Sequence, residues 1–149
     1  MSPEVVHELR AGLEALEGLV HSLREDQLER PQAEGWTARQ VLAHLADHEL
    51  MAATRVRLVL SLERAALPAY GQDEFTERFS GLEAPAVALQ RFAVNREATL
   101  RVLDALAPGD WERVGVHPHR GEETLHRTME FLVRHDRGHL AQLRRAAGE

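Results

Sequence analysis

The chain has 149 residues, a length typical of one domain, here residues 1–149. It has no cysteine, which excludes a disulfide framework, a thiolate metal site and a cysteine nucleophile. Its formal net charge is −6, and this balance argues against a nucleic-acid-binding protein. Because the sequence has neither a signal peptide nor an apolar run of about 20 residues, we expect a cytoplasmic protein with no membrane partner.

Four amphipathic segments have the length and the apolar spacing of helices. The first has Ser2 as its predicted N-cap and Pro3 at the first helical position. A capping box of Thr37 and Gln40 marks the start of the second, and Trp36 can pack on Val41 as a hydrophobic staple. The predicted helices cover residues 2–24, 38–63, 85–106 and 124–146.

Two connections between these helices are long and contain proline and glycine, residues 64–84 and 107–123. Alternation near Ala69 and over residues 112–116 is too brief to predict a strand. The sequence therefore predicts an all-α, antiparallel four-helix bundle with long connections between helices 2 and 3 and between helices 3 and 4. A strict up-down-up-down order is not required by connections of this length.

Histidines occupy the apolar faces of the second and fourth predicted helices. His135 and His139 are four residues apart, so both project from one helical face among leucines. His44 lies in the middle of the apolar side of the second helix, and His48 follows one turn later. A buried imidazole needs polar partners that leucine cannot supply. A metal ion shared by several rings is one solution, and core histidines that bond to carbonyl groups are the alternative.

Three neutral nitrogen donors, from His44, His135 and His139, suit Zn²⁺, Ni²⁺, Fe²⁺ or Cu²⁺. Three protein ligands leave a coordination position open, which is typical of a catalytic metal site. A water bound there would have its pKa lowered toward about 7, and a thiol would be deprotonated. Asp47 and Asp136 adjoin the candidate ligands and could accept hydrogen bonds from them, but we favour solvated surface positions for both.

Two separated motifs resemble the signatures of the DinB-like superfamily. The first is Gly35–Asp47, with the sequence GWTARQVLAHLAD, and the second begins at His117–Leu125 and continues to His135–Gln142. The resemblance implies a four-helix bundle, commonly a homodimer, and a divalent metal held by three histidines. Carried over to this chain, these ligands are His44, His135 and His139.

The match departs from the family pattern at one position. Some members have a further histidine five residues after the ligand on the second helix, and Glu49 occupies that position here. His48 lies one residue earlier, so it is a candidate fourth ligand or a group that supports the ligands.

Family members include enzymes that transfer or isomerise substrates with low-molecular-weight thiols such as bacillithiol or mycothiol. The resemblance therefore implies a metal-dependent enzyme with a small-molecule substrate, and our first hypothesis is a thiol S-transferase. Zinc or nickel is the expected metal, and a thiol such as bacillithiol is the expected co-substrate. A metal-dependent hydrolase and a non-enzymatic metal-binding or stress-response protein remain as alternatives.

Acidic thiols need cationic anchors, and the candidates are Arg55, Arg57 and Arg120. Arg55 lies on nearly the same side of the second helix as His44, although a surface or inter-subunit salt bridge explains it equally well. His117 is a further candidate for substrate binding or proton transfer, or an ordinary loop residue. The sequence assigns no catalytic residue.

Overall fold

A computed structural model describes residues 3–149, so the predicted Ser2 N-cap lies outside the described residues. Four long helices form a bundle, and two short helices lie in the connections, which confirms the predicted fold class. The helices are α1 (Glu4–Ser22), α2 (Glu25–Leu28), α3 (Ala38–Ser61), α4 (Gln72–Phe79), α5 (Pro85–Asp104) and α6 (Leu125–Ala146). None of the helices in residues 3–149 has the length and apolarity needed to cross a membrane.

The order of the long helices around the bundle differs from their order in the chain. Both α1 and α3 pack against α5 and α6, so α1 and α3 lie across a diagonal of the bundle. Ion pairs of Asp47 with Arg91 and of Glu49 with Arg96 advance in the same direction along α3 and α5, which are therefore parallel. Contacts between α3 and α6 advance in opposite directions, so this pair is antiparallel.

The apolar stripes of the long helices meet in two buried clusters. One cluster contains Leu13, Leu16, Leu42, Phe92 and Leu143 among others. The other contains Leu9, Val56, Leu100, Met129 and Leu132 among others. Charged and imidazole side chains of α3 and α5 are buried in the bundle, and those of His135, Asp136 and His139 on α6 are partly buried beside them, so a polar layer crosses the bundle.

The start of α3 follows the predicted capping box. Thr37 Oγ1 accepts a hydrogen bond from the Gln40 backbone N–H at 3.2 Å, and Gln40 Oε1 accepts one from the Thr37 N–H at 2.9 Å. Trp36 packs against the cluster that contains Val41, as the staple requires. This cap fixes where α3 begins and so which of its residues face α6.

The long connections contain a three-stranded sheet that the sequence did not predict. Its strands are β1 (Ala65–Ala66), β2 (Val114–His117) and β3 (Gly121–Thr124), with β1 parallel and β3 antiparallel to β2. A Cβ atom on Gly115 would lie 2.9 Å from side-chain atoms of Leu67 and Val59, so only glycine permits this approach. Strands of two and four residues are too short for alternation to show in a sequence.

Candidate metal centre

Four histidine side chains meet between the antiparallel helices α3 and α6. His44 is 1% exposed, and its Nε2 lies 3.0 Å from Nε2 of His135. One ring nitrogen each of His44, His48 and His135 lies within 4.8 Å of the others. The ring centroid of His139 lies 4.4 Å from that of His44 and 4.5 Å from that of His135. All four histidines from the sequence analysis therefore belong to one cluster.

The most compact set of three nitrogens is not the set that the sequence analysis put first. It contains His44, His48 and His135, with the ring of His139 beside it. Two nitrogens about 2.1 Å from one metal, at an angle of about 90–110°, lie about 3.0–3.4 Å apart. The separation of 3.0 Å between His44 and His135 is within this range.

Hydrogen bonds fix the outer nitrogens of both histidines on α6. Nδ1 of His135 donates to Oδ1 of Asp136 at 3.1 Å, and Nδ1 of His139 donates to Oε1 of Gln142 at 2.8 Å. A proton held on Nδ1 leaves the lone pair of a neutral imidazole on Nε2. Histidine ligands of metals have this arrangement, with the other ring N–H donated to an oxygen acceptor.

The two histidines on α3 are held differently. Nδ1 of His48 forms a hydrogen bond of 2.6 Å with the hydroxyl of Tyr70. Nδ1 of His44 is buried and has no hydrogen-bond partner among residues 3–149, so its polar contact is through Nε2. A divalent metal would be stabilised by Nε2 lone pairs of His44 and His135 that face each other. The donor set therefore fits a borderline transition metal and does not fit Mg²⁺ or Ca²⁺.

The environment keeps several of these imidazoles neutral. Burial, together with the neighbouring rings of His135 and His139, lowers the pKa of His44 to about 3. Burial also lowers the pKa of His48, and it lowers that of His139 against the opposing effect of its hydrogen bond to Gln142. A neutral imidazole is the form that binds a metal ion, so these ligands need no proton loss at neutral pH.

A buried arginine on α5 supports the histidine cluster. The Arg96 side chain is 0% exposed and donates to both carboxylate oxygens of Glu49, at 2.9 and 2.6 Å, and to Asp136 at 2.5 Å. Burial favours the neutral form of Asp136, but the charge of Arg96 and the hydrogen bond from His135 hold the pKa of Asp136 below its ordinary value. The carboxylate that orients His135 therefore stays ionised.

The prediction that Asp47 and Asp136 are solvated surface residues is wrong. Asp136 is bonded to His135 and Arg96, and Asp47 is 8% exposed and pairs with Arg91 at 3.0 Å. The carboxylate of Glu49 pairs with Arg96 and does not belong to the candidate metal-binding group of His44, His48 and His135.

Sequence reasoning missed Arg96, Gln142 and Tyr70. Gln142 follows His139 by three residues on one helix, and this spacing could have indicated it. Arg96 and Tyr70 are far in sequence from the side chains they contact, and no local pattern marks them.

An open cavity of about 300 Å³ adjoins the cluster, and we call it the arginine cavity. It is lined by His48, Ala52, Arg55, Arg120, Thr128, Met129, Phe131, Leu132, Arg134 and His135. The candidate anchors Arg55 and Arg120 therefore lie in one space with two of the histidines. The third, Arg57, is exposed and donates to the Ala53 carbonyl of its own helix.

His117 lies at the hairpin between β2 and β3. Its Nδ1 accepts hydrogen bonds of 3.1 Å from the backbone N–H groups of His119 and Arg120. Gly121 closes the hairpin with a φ of +79°, a conformation that favours glycine. His117 is buried and is not among the residues that line the arginine cavity.

The fold and the cluster together define a four-helix-bundle protein with a histidine-rich candidate metal centre. The chain belongs to the DinB superfamily, whose family model matches residues 8–143.

Several proteins that are similar to this chain have names or descriptions that refer to a metal-dependent hydrolase. "Putative metal-dependent hydrolase OB0782" of Oceanobacillus iheyensis is 27% identical over 141 residues, which are 94% of this chain and 82% of the relative. A protein of Bacillus licheniformis with the same kind of name is 25% identical over 93% of this chain and 81% of its own. The structure of YfiT from Bacillus subtilis, described as "a probable metal-dependent hydrolase with an unusual four-helix bundle topology", matches with a TM-score of 0.87 and 26% identity over 97% of this chain and 86% of YfiT.

Proposed function

We propose that the protein is an enzyme that holds one divalent transition metal, zinc or nickel, through His44, His135 and His139. His48 would supply a further ring nitrogen, either as a fourth ligand or as a group beside the metal. The observation that carries this proposal is the 3.0 Å separation of Nε2 of the buried His44 and Nε2 of His135 inside a cluster of four imidazoles, of which the other three are partly buried. A metal bound there would supply a Lewis acid that lowers the pKa of a coordinated water or thiol.

Residues around the cluster give it a closed side and an open side. The ring of Trp36 lies 5.1 Å from that of His44 and stacks at 6.3 Å on that of His139, so an indole ring covers this side of the cluster. His48 and His135 line the arginine cavity on the other side. A small substrate would therefore approach through this cavity, while the hydrogen bond from His135 to Asp136 keeps one ligand oriented.

Thiol S-transfer is our first candidate reaction. The chain has no cysteine, so a low-molecular-weight thiol such as bacillithiol would provide the nucleophile. The arginines of the cavity suit an acidic thiol, and Arg55 and Arg120 are the proposed contacts. His117 remains a candidate for an indirect role, through the backbone of Arg120.

Hydrolysis is the second candidate, since the names of the relatives and of YfiT favour it. The nucleophile would be the thiol in S-transfer and water in hydrolysis. Assays of the metal-loaded protein with an electrophile, with and without added thiol, distinguish them. Product that forms only with the thiol supports S-transfer, and thiol-independent product from an ester or amide supports hydrolysis. A protein that binds metal and does neither is the non-enzymatic alternative.

Elemental analysis of the untagged protein tests the metal centre. We expect about one zinc or nickel per chain after incubation and dialysis. His44→Ala and His135→Ala should each lose most of this metal, because each removes one of the two nitrogens at 3.0 Å. His21→Ala, which changes an exposed histidine of α1, is the matched control and should keep it. A wild-type protein that stays metal-free after incubation with Zn²⁺ and Ni²⁺ would contradict the proposal.

We also propose a cytoplasmic homodimer. The exposed apolar side chains Leu50, Val87 and Val94 lie on the neighbouring helices α3 and α5 and are the candidate contacts between subunits. Sedimentation equilibrium of the 16.8 kDa chain, beside a Val94→Glu variant, tests this: the wild type should have twice the monomer mass, and the variant should not.

A further inference from the structure

The arginine cavity carries a positive charge that its own walls do not neutralise. Three arginines line it, and no carboxylate does among the described residues. The remaining wall is largely apolar, with Ala52, Met129, Phe131 and Leu132. A space of about 300 Å³ is at the small end of ligand pockets, so it suits a small molecule.

Arg55 is the buried charge of this cavity. The residue is 6% exposed, and its Nε and one Nη donate to the neutral carbonyl oxygen of Pro68, at 3.1 and 2.7 Å. No carboxylate of residues 3–149 lies within ion-pair distance of its guanidinium. Buried charges in proteins are usually paired, so an unpaired buried arginine at a cavity wall indicates an anionic ligand.

The other two arginines differ from Arg55. Arg120 donates to both oxygens of Glu123, at 2.8 and 2.9 Å, so its charge is already compensated. Arg134 is exposed, and its guanidinium lies 4.6 Å from the ring centroid of Phe131, whose ring also lies 4.2 Å from the guanidinium of Arg120. Arg134 and Phe131 therefore form the solvent side of the cavity, and Arg55 forms its interior.

We propose that the substrate is a small acid whose anionic group, a carboxylate or a phosphate, is bound by Arg55. Its apolar part would lie along Phe131, and its reactive part would point to His48 and His135, which share the cavity. This inference rests on the proposed function for the reaction, but the binding of an anion by Arg55 does not require a metal. The guanidinium has N–H groups beyond those bonded to Pro68, and these can donate to an anion.

Calorimetric titration of the metal-free protein with inorganic phosphate and with propionate tests the anion site. Metal is removed with a chelator that is then dialysed away, since a chelator is itself a polycarboxylate. We expect one of the two anions to bind at one site per chain, and propionamide not to bind. Arg55→Met should weaken that binding by about 10- to 100-fold, as expected for loss of hydrogen bonds to a charged group. Arg57→Met, on an exposed residue of the same helix, should leave it unchanged.

The outcome identifies the anion. Binding of phosphate alone indicates a phosphate ester, and binding of propionate alone indicates an organic acid. Wild-type protein that binds neither anion, or Arg55→Met protein that binds as well as wild type while circular dichroism shows it folded, would overturn the inference. Metal content is measured on separate samples of wild-type and Arg55→Met protein that are incubated with Zn²⁺ or Ni²⁺ and dialysed. Anion binding lost by metal-free Arg55→Met protein, which still takes up about one metal per chain in this second measurement, separates the anion site from the metal centre.

Discussion

At the scale of single residues, the centre combines imidazoles that burial keeps neutral with a carboxylate that an arginine keeps charged. These two effects suit a metal site for different reasons. A neutral Nε2 provides the lone pair for the metal, whereas an ionised Asp136 accepts the proton on Nδ1 of His135 and fixes the ring. Both effects depend on the same exclusion of water between α3, α5 and α6.

The lowered pKa of His44 makes the stability of the metal-free protein depend on pH. Its pKa is about 3 in the folded state and 6.5 without burial, so the unfolded chain binds more protons between these values. Stability therefore falls as the pH falls from 6.5 towards 3, by about 2 kcal/mol at pH 5 from His44 alone. Urea denaturation at pH 7 and pH 5 measures this decrease. The decrease in unfolding free energy from pH 7 to pH 5 should be about 2 kcal/mol smaller in His44→Asn than in the wild type, and the same in His21→Asn as in the wild type. An equal decrease in the wild type and both variants would contradict the lowered pKa of His44.

At the scale of elements, the candidate ligands come from α3 and α6, but α5 determines how one of them is held. Arg96 lies between Glu49 of α3 and Asp136 of α6, and it also donates to the Leu9 carbonyl of α1 at 2.9 Å. One side chain therefore links all four long helices at the polar layer. Removing it leaves two acidic side chains without their counter-charge inside the bundle.

Arg96→Met should lower the free energy of unfolding by about 3–5 kcal/mol, the effect of breaking a buried ion pair on one side. Adding Glu49→Gln to this variant should recover part of the loss, since it removes one of the unpaired charges. Urea denaturation of both variants provides the measurement. Arg10→Met is the control, because Arg10 pairs with Asp104 at an exposed site and such pairs contribute about 0–1 kcal/mol. Equal losses from Arg96→Met and Arg10→Met would show that the buried network does not stabilise the fold.

The N-terminal cap of α3 provides a second test at this scale. Thr37→Ala removes the hydroxyl that accepts from the Gln40 N–H and should lower the free energy of unfolding by about 1 kcal/mol. Thr54→Ala is the matched control on the same helix, since this exposed hydroxyl donates to the Leu50 carbonyl of its own helix and caps no helix end. Its effect should be within about 0.5 kcal/mol. The cap would have no special role if the two substitutions changed the denaturation midpoint equally.

At the scale of the whole molecule, the sequence was sufficient for what depends on local pattern. Helical periodicity predicted the four long helices, and the capping box predicted the start of α3. The i, i+4 spacing of His135 and His139 placed them on one face. The sheet was missed because its strands of two and four residues are too short to show alternation, and because β1 pairs with the distant β2. The partners of Arg96 were missed because they belong to distant segments. Arg96 is 47 residues from Glu49 and 40 from Asp136, and an arginine in an amphipathic helix is usually solvated.

Metal binding should stabilise the whole bundle, because the candidate ligands are close together only when α3 packs against α6. A metal that binds only the folded chain raises the free energy of unfolding by about 2.7 kcal/mol when its free concentration is 100 times Kd. Urea denaturation with and without Zn²⁺ or Ni²⁺ should show this increase in the wild type and in His21→Ala. The increase should disappear in His44→Ala. The chain has nine histidines that an unfolded state could also offer to a metal, so an equal increase in His44→Ala would mean that the ion acts elsewhere on the chain. An increase that needs His44 would instead show that binding the ion and packing α3 against α6 are one coupled event.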